Sequence, residues 1–369
     1  MNDRIDLVSP LLPDLESFNL LLKNIWEKRW LTNNGTYVQE LERALAKFLH
    51  VKYLSLYTNG TMPLVTALKA LGIKGEVITT PFSFAATSHA IAWNGLFPVF
   101  ADIDPVTCNI DPDRIEAAIT PQTEAILPVH SFGIPCDTER IQAIADRCGL
   151  KVIYDAAHAF GVEVNGQSIL ECGDMSSISF HATKVYNTIE GGALVCHDKQ
   201  MLGKVNRMRN FGIDSETEIP EIGLNAKMDE IRAAFGLLNL ESVQDTILCR
   251  RTVYQNYRME LKDIDGIRMI EPGENVRYNY AYFPIFVDAG QFGKSRDALY
   301  CKLRDNGITC RRYFYPLLSN LPMYHSLRSS DIANLPVANR ISEEVICLPI
   351  HHRLTESEQA RIIDCIRQR

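Results

Sequence analysis

Residues 138–161 read TERIQAIADRCGLKVIYDAAHAFG. In the first half, TERIQAIADRC, the apolar residues recur at helical spacing. The second half opens on KVIYD (151–155), a short apolar run ending in an acid, which reads as a strand. This helix-to-strand step repeats in both directions along the chain. Upstream lie the strand-like runs YLSLY (53–57), EVITT (76–80), FPVFA (97–101) and AILPV (125–129), separated by helical segments such as MPLVTALKAL (62–71). Downstream lie SISF (177–180) and ALVC (193–196). The alternation predicts an α/β fold with a mostly parallel central sheet and helices on both faces. Two helices are expected before it, at about 14–31 and 37–49, and two after it, at about 198–211 and 227–242. Beyond 244 the pattern changes to a helix at about 246–262, a strand-like YNYAYFPIFV (278–287), and helices near 293–305 and 355–367. The expected division is a large domain over 1–244 and a smaller α+β domain over 245–369.

The bulk properties agree with two domains and exclude several functions. The 369 residues exceed what one simple core accommodates, and 46% hydrophobic with 22% charged residues is ordinary for a globular protein. A net charge of −7 without a long basic run argues against nucleic-acid binding. The opening MNDRIDLVSPLLPDLE has no basic segment followed by an apolar run, and no apolar stretch approaches the roughly 20 residues of a membrane helix. The expectation is a cytoplasmic protein. Its ten cysteines are scattered without a C-x-x-C pair, which predicts free thiols and no metal site. Trp26 and Trp30, four apart on the first helix, read as packing residues.

Sheets of this kind bind ligands at the carboxyl ends of their strands. After YLSLY comes Thr58-Asn59-Gly60-Thr61 and then a helix, either a phosphate-binding turn with free N–H groups or a plain N-cap. No G-x-G-x-x-G or G-x-x-x-x-G-K-[ST] supports a nicotinamide or P-loop reading. After KVIYD comes Asp155-Ala156-Ala157-His158, and an acid ending a buried strand needs a partner: a ligand's pyridinium, a salt bridge or a cap. After SISF comes His181-Ala182-Thr183-Lys184, where the lysine is either solvated or a nucleophilic amine for an aldehyde cofactor. A phosphate turn, a strand-end carboxylate and a strand-end lysine on one sheet are the three groups that pyridoxal phosphate chemistry requires. His130 in PVHSFG is either a site residue or a strand-end cap.

At this point the chain resembles the DegT/DnrJ-type nucleotide-sugar aminotransferases. The likeness runs through WLTNNG (30–35), TNGTMPL (58–64), TTPFSFAATSHAI (79–91), VIYDAAHAFG (152–161), SFHATKVYNTIEGG (179–192), RNFG (209–212), GLNAKMDEIRAA (223–234) and CLPIHH (347–352). The resemblance implies an aspartate-aminotransferase-like (fold type I) large domain and a pyridoxal phosphate cofactor. It makes Lys184 the Schiff-base lysine and Asp155 the partner of the pyridine nitrogen, and it sets His158 near the phenolic oxygen. Gly60, Thr61 and Ser179 would hold the phosphate, and Phe84 would stack on the ring. Asn225 would reach the phosphate of a neighbouring subunit, so a homodimer with shared sites is implied. Read without the resemblance, Phe84 is ordinary core and Asn225 a turn residue. His181 with Glu190 looks like the branch that aminates carbon 4 of the sugar. The implied reaction uses glutamate and dTDP-4-keto-6-deoxyglucose and feeds O-antigen or lipopolysaccharide synthesis. In RRYFYPL (311–317), Arg311 and Arg312 are candidates for a diphosphate and Tyr313 and Tyr315 for a base, the alternative being a half-exposed strand. The competing functions are a GDP-perosamine-type synthase, a 3-aminotransferase, a sugar dehydratase and a non-catalytic regulatory homologue.

Overall fold

The computed structural model describes residues 4–368. The central sheet contains β1 (Tyr53–Tyr57), β2 (Glu76–Thr79), β3 (Phe97–Phe100), β4 (Thr123–Leu127), β5 (Lys151–Asp155), β8 (Met175–Ser179) and β9 (Gly192–Cys196). Between β5 and β8 the short strands β6 (Glu163–Val164) and β7 (Gln167–Ser168) form a small hairpin. The strand order is β1-β9-β8-β5-β4-β2-β3. Only β9 is reversed, pairing antiparallel with both β1 and β8. Val152–Asp155 of β5 are all buried, as expected for a parallel strand covered on both faces.

Helices α1 (Leu15–Lys28) and α2 (Thr36–Phe48) come first. The sheet is then flanked by α3 (Thr61–Ala70), α4 (Ala85–Trp93), α5 (Pro112–Ala118), α6 (Thr138–Cys148) and α7 (Lys199–Met208). The α6–β5 step is set locally. The Asp137 side chain accepts from Arg140 N to start the helix, and Gly149 at φ 68° stops it in the left-handed region that glycine tolerates. Next comes the long helix α8 (Glu230–Leu261). The smaller α+β portion holds β10 (Ile267–Met269), β11 (Val276–Arg277), β12 (Phe283–Val287) and β13 (Val345–Leu348). With them are α9 (Ala289–Phe292), α10 (Arg296–Asp305), α11 (Pro336–Glu344) and α12 (Glu356–Arg367). Strands β10, β12 and β13 form an antiparallel sheet, while β11 pairs back onto β6 of the hairpin between β5 and β8.

Three features differ from the sequence reading. The two helices expected at 227–242 and 246–262 are one, because Val243, Thr246, Ile247, Arg250, Val253, Tyr254, Tyr257 and Leu261 form an unbroken buried line. Gln244 and Asp245 lie on its open face, so residue 244 falls inside a helix. YNYAYFPIFV is strand only over Phe283–Val287. The buried Asn279 side chain instead donates to the carbonyls of His158 and Phe160, tying the preceding residues to the loop after β5. Ile5 bonds to the C-terminal portion, its N–H to Gly307 O (2.9 Å) and its carbonyl to Thr309 N (2.8 Å). Among the described residues no helix is long and apolar enough to cross a membrane.

Helix α2 begins at Gly35, which has no side chain to cap it. The carboxylate of Glu230, at the start of α8, accepts from Tyr37 N (3.0 Å) and Val38 N (2.9 Å), and it is 3% exposed. Glycine suits this position because a Cβ at residue 35 would run into that carboxyl and displace it from the cap. Glu230→Ala leaves two buried N–H groups unpaired and should destabilise the protein by about 2–3 kcal/mol. The check is equilibrium urea unfolding, and an unchanged midpoint would contradict this capping role.

Candidate active site

Strands β1, β5 and β8 run in one direction, so their carboxyl ends lie on one edge of the sheet. That edge brings together Gly60, Asp155 and Ser179 with the loop bearing Lys184. Asp155 is 5% exposed. Its Oδ2 accepts from Thr87 Oγ1 (2.7 Å) and its Oδ1 from Ala157 N (3.1 Å). No basic side chain forms an ion pair with it among the described residues. Burial raises its pKa, while those two bonds and the charge of Lys184 act in the opposite direction.

Lys184 is half-buried, with protein atoms packed densely around its amine. Burial lowers its pKa to about 8, with Asp155 partly offsetting the effect. Its Nζ donates to Tyr282 Oη at 3.3 Å. Tyr282 comes from the segment before β12 and is held protonated, since burial drives its pKa far up. His158 is 7% exposed, lies 4.7 Å from the Tyr282 ring, and stacks on Phe314 at 5.8 Å with an interplanar angle of 3°. Burial, then Lys184, pushes its pKa well below the usual imidazole value, so it is neutral, and its Nδ1 has no partner.

Gly60 approaches Ser179 so closely that a Cβ at Gly60 would lie 2.6 Å from Ser179 Cβ. The Ser179 hydroxyl therefore sits against the start of α3. The capping reading of this turn is also correct in part: Asn59 Oδ1 accepts from Thr61 N and Met62 N, both at 3.0 Å. Fewer free N–H groups remain for an anion than the turn alone suggests, which leaves the hydroxyls of Thr61 and Ser179 as further donors.

His181 Nε2 lies 3.5 Å from Glu190 Oε1, both half-exposed, and His181 Nδ1 is 2.8 Å from Thr183 Oγ1. Phe84 is 64% exposed at the start of α4 and is not core. Asn225 is exposed, and its Oδ1 accepts from Lys227 Nζ (2.8 Å). Trp26 and Trp30 are 64% and 54% exposed, so they do not pack inside this chain. His130 is buried, its backbone N–H donating to Asp155 O (3.1 Å) and its ring stacked on Tyr154 at 4.7 Å, with its Nδ1 accepting from Cys136 N. RRYFYPL divides in two. Arg312 pairs with Asp297 (2.9 Å) and lies over Tyr300 and Tyr315. Arg311 and Tyr313 line a cavity of about 200 Å³ that also meets Thr183 and Tyr282.

Sequence reasoning missed Tyr282, Thr87 and Arg250. Arg250 is 2% exposed and donates to the carbonyls of Ile350 (2.9 Å), Ala281 (3.4 Å) and Tyr280 (3.5 Å), which fixes the backbone next to Tyr282. Thr87 lay within a quoted motif, but nothing in its spacing pointed at Asp155.

The residues fit pyridoxal phosphate on three observations. Asp155 is a buried carboxylate with unused lone pairs and, among the described residues, no cation bonded to it, His158 has an orphaned ring nitrogen, and the close approach of Gly60 to Ser179 sets the Ser179 hydroxyl against the start of α3, where a phosphate would be held. The fold is that of the aspartate-aminotransferase-like (type I) class. Residues 14–367 match the model of the DegT/DnrJ/EryC1/StrS aminotransferase family, and the chain belongs to that family. It is 50% identical over 368 residues, covering 100% of both chains, to a dTDP-4-amino-4,6-dideoxy-D-glucose transaminase of Shigella dysenteriae. It superposes with a TM-score of 0.92 and 35% identity on DesI in the presence of its TDP-sugar product, covering 100% of this chain and 92% of that one. A third relative is NtdA from Bacillus subtilis with bound cofactor PMP, at a TM-score of 0.87 and 27% identity, covering 99% and 86%.

The depressed pKa of Lys184 is directly measurable. Its amine is neutral above about pH 8, so in cofactor-free protein its labelling by an amine-acylating reagent, read by peptide mass spectrometry, should reach half-maximum near there. Asp155→Asn removes the opposing charge and should move the midpoint lower still. A midpoint in the ordinary lysine range, above about 10, would contradict the burial argument.

Proposed function

We propose that this protein transfers the amino group of glutamate to carbon 4 of dTDP-4-keto-6-deoxyglucose, giving dTDP-4-amino-4,6-dideoxyglucose and 2-oxoglutarate. The likeness to the Shigella transaminase over the full chain carries the choice of substrate. The cavity beside Lys184 supports it. Leu7, Val8, Leu348 and Ile350 line its apolar side, suited to the methyl of a 6-deoxy sugar, and Arg311 supplies positive charge suited to a diphosphate, while Arg4 on the same lining is paired with Asp6. Tyr313 offers a ring on the same wall, and the adjoining His181–Glu190 pair offers polar atoms to the sugar.

The chemistry supplied by bound pyridoxal phosphate is that of an electron sink that carries an amino group from donor to acceptor. Asp155 acts by charge, keeping a proton on the ring nitrogen. Its burial strengthens that interaction and excludes water from it. Lys184 would hold the cofactor's aldehyde, and its Nζ would move the proton at the donor's α-carbon. With a pKa near 8 it gains and loses that proton close to neutral pH. Tyr282 Oη holds the amine in place, and neutral His158 offers its free ring nitrogen to the phenolic oxygen. Gly60, Thr61 and Ser179 bind the phosphate, and Phe84 covers the ring. Asn225 would complete the phosphate site of a second copy. Such a dimer, cytoplasmic and serving O-antigen or lipopolysaccharide synthesis, is part of the proposal.

Lys184→Ala should lower turnover by more than the roughly hundred- to ten-thousandfold typical of losing an acid–base group, because the covalent role goes with it. Near-normal steady-state rates would overturn the assignment. Substrate choice is tested by competition among dTDP-, GDP- and UDP-linked 4-keto-6-deoxy sugars, with the product located by NMR. The dTDP sugar should have the highest kcat/KM and carry nitrogen on carbon 4. A GDP preference or nitrogen on carbon 3 would overturn the reading.

A further inference from the structure

Behind Asp155 lies a chain of two buried hydroxyls. Ser83 Oγ is 2.8 Å from Thr87 Oγ1, and Thr87 Oγ1 is 2.7 Å from Asp155 Oδ2. Ser83 is 4% exposed and Thr87 is fully buried. The direction of these bonds follows from the chemistry. An ionised carboxylate only accepts, so the single proton of Thr87 points to Asp155, and Ser83 must donate to Thr87. Both hydroxyls come from the turn and first helical residues that also carry Phe84, at the start of α4.

We propose that Thr87 is a positioning residue for the reaction, with Ser83 behind it: the hydroxyl pair holds Asp155 ionised and fixes one of its oxygens, while Ala157 N–H fixes the other. This rests on the reading of Asp155 as partner of the ring nitrogen. A carboxylate has about four lone-pair positions, and two are used here, so the remainder are free for a ligand's N–H. The groups facing Asp155 leave this work to the hydroxyls. Lys184, from the loop after β8, contributes charge but no bond, and that charge is consumed when its amine is neutral. His158 and His130 are buried and neutral, and Tyr282 stays protonated. Burial already raises this pKa, and without the opposing bond from Thr87 the carboxyl takes up a proton at still higher pH.

The test follows the carboxyl ¹³C resonance of Asp155 against pH in cofactor-free protein, assigned by its loss in Asp155→Asn. The near-isosteric Thr87→Val should raise the midpoint by about one to two units, the effect of one hydrogen bond to a charged group. Thr87→Ser should restore most of the difference, and Ser83→Ala should give a smaller rise. In the holoenzyme, Thr87→Val should move the acid limb of the kcat profile upward by a similar amount with little change in the KM for glutamate. No shift in the cofactor-free protein, or a Thr87→Ser variant as altered as Thr87→Val, overturns the hydroxyl chain. A shift there with an unmoved acid limb in the holoenzyme overturns instead the role of Asp155, and with it the part played by Thr87 in the reaction.

Discussion

A carboxylate at the end of a buried strand is the constraint around which this protein is arranged. Asp155 ends β5, where the sheet is covered on both faces, and its charge is compensated by two hydrogen bonds and no ion pair. Such a site is costly to keep ionised unless a cation completes it. The parallel sheet determines where the other groups fall. With β1, β8 and β5 running the same way, the Gly60 turn, Ser179 and the Lys184 loop are delivered to the same edge. The one reversed strand, β9, returns the chain after that loop, so Glu190 ends up beside His181.

The second half of the chain closes this edge. Helix α8 is continuous through the region where the composition changes, so the two portions are joined by a rod about 48 Å long rather than by a linker. Its buried Arg250 holds the backbone carbonyls next to Tyr282, and Asn279 ties the same segment to the carbonyls of His158 and Phe160. Tyr282 is thereby held over the lysine from the opposite wall. Residues near the N-terminus line that wall too, through Ile5 paired to Gly307 and Thr309 and through Arg4, Leu7 and Val8 in the cavity. The sheet edge thus offers Asp155 and Lys184, and the smaller portion with the N-terminal residues offers the Tyr282 hydroxyl and the apolar lining.

Much of this was legible in the sequence because it is local. The strand-end residues Asp155 and Lys184, the Gly60 turn and the alternating helices and strands all follow from short-range pattern. What escaped depends on contacts between distant segments. Thr87 meets Asp155 across 68 positions, and Lys184 meets Tyr282 across 98. Periodicity carries no information about either. The expected boundary near 244 falls inside α8, whose open face accommodates the polar Gln244 and Asp245. YNYAY has strand-like composition, but the amide of Asn279 takes it out of the sheet. Trp26 and Trp30, read as packing residues, and Phe84, read without the resemblance as core, are left exposed by the fold.

The central claim is that the amine of Lys184, facing Asp155, is where the cofactor is held. The most direct measurement is borohydride reduction of the protein as purified with its cofactor, followed by digestion and peptide mass spectrometry. A single phosphopyridoxyl label on the peptide containing Lys184, absent in Lys184→Ala, is the result this account predicts. A label on another lysine, or a wild-type protein that binds pyridoxal phosphate yet acquires no label on reduction, would contradict it.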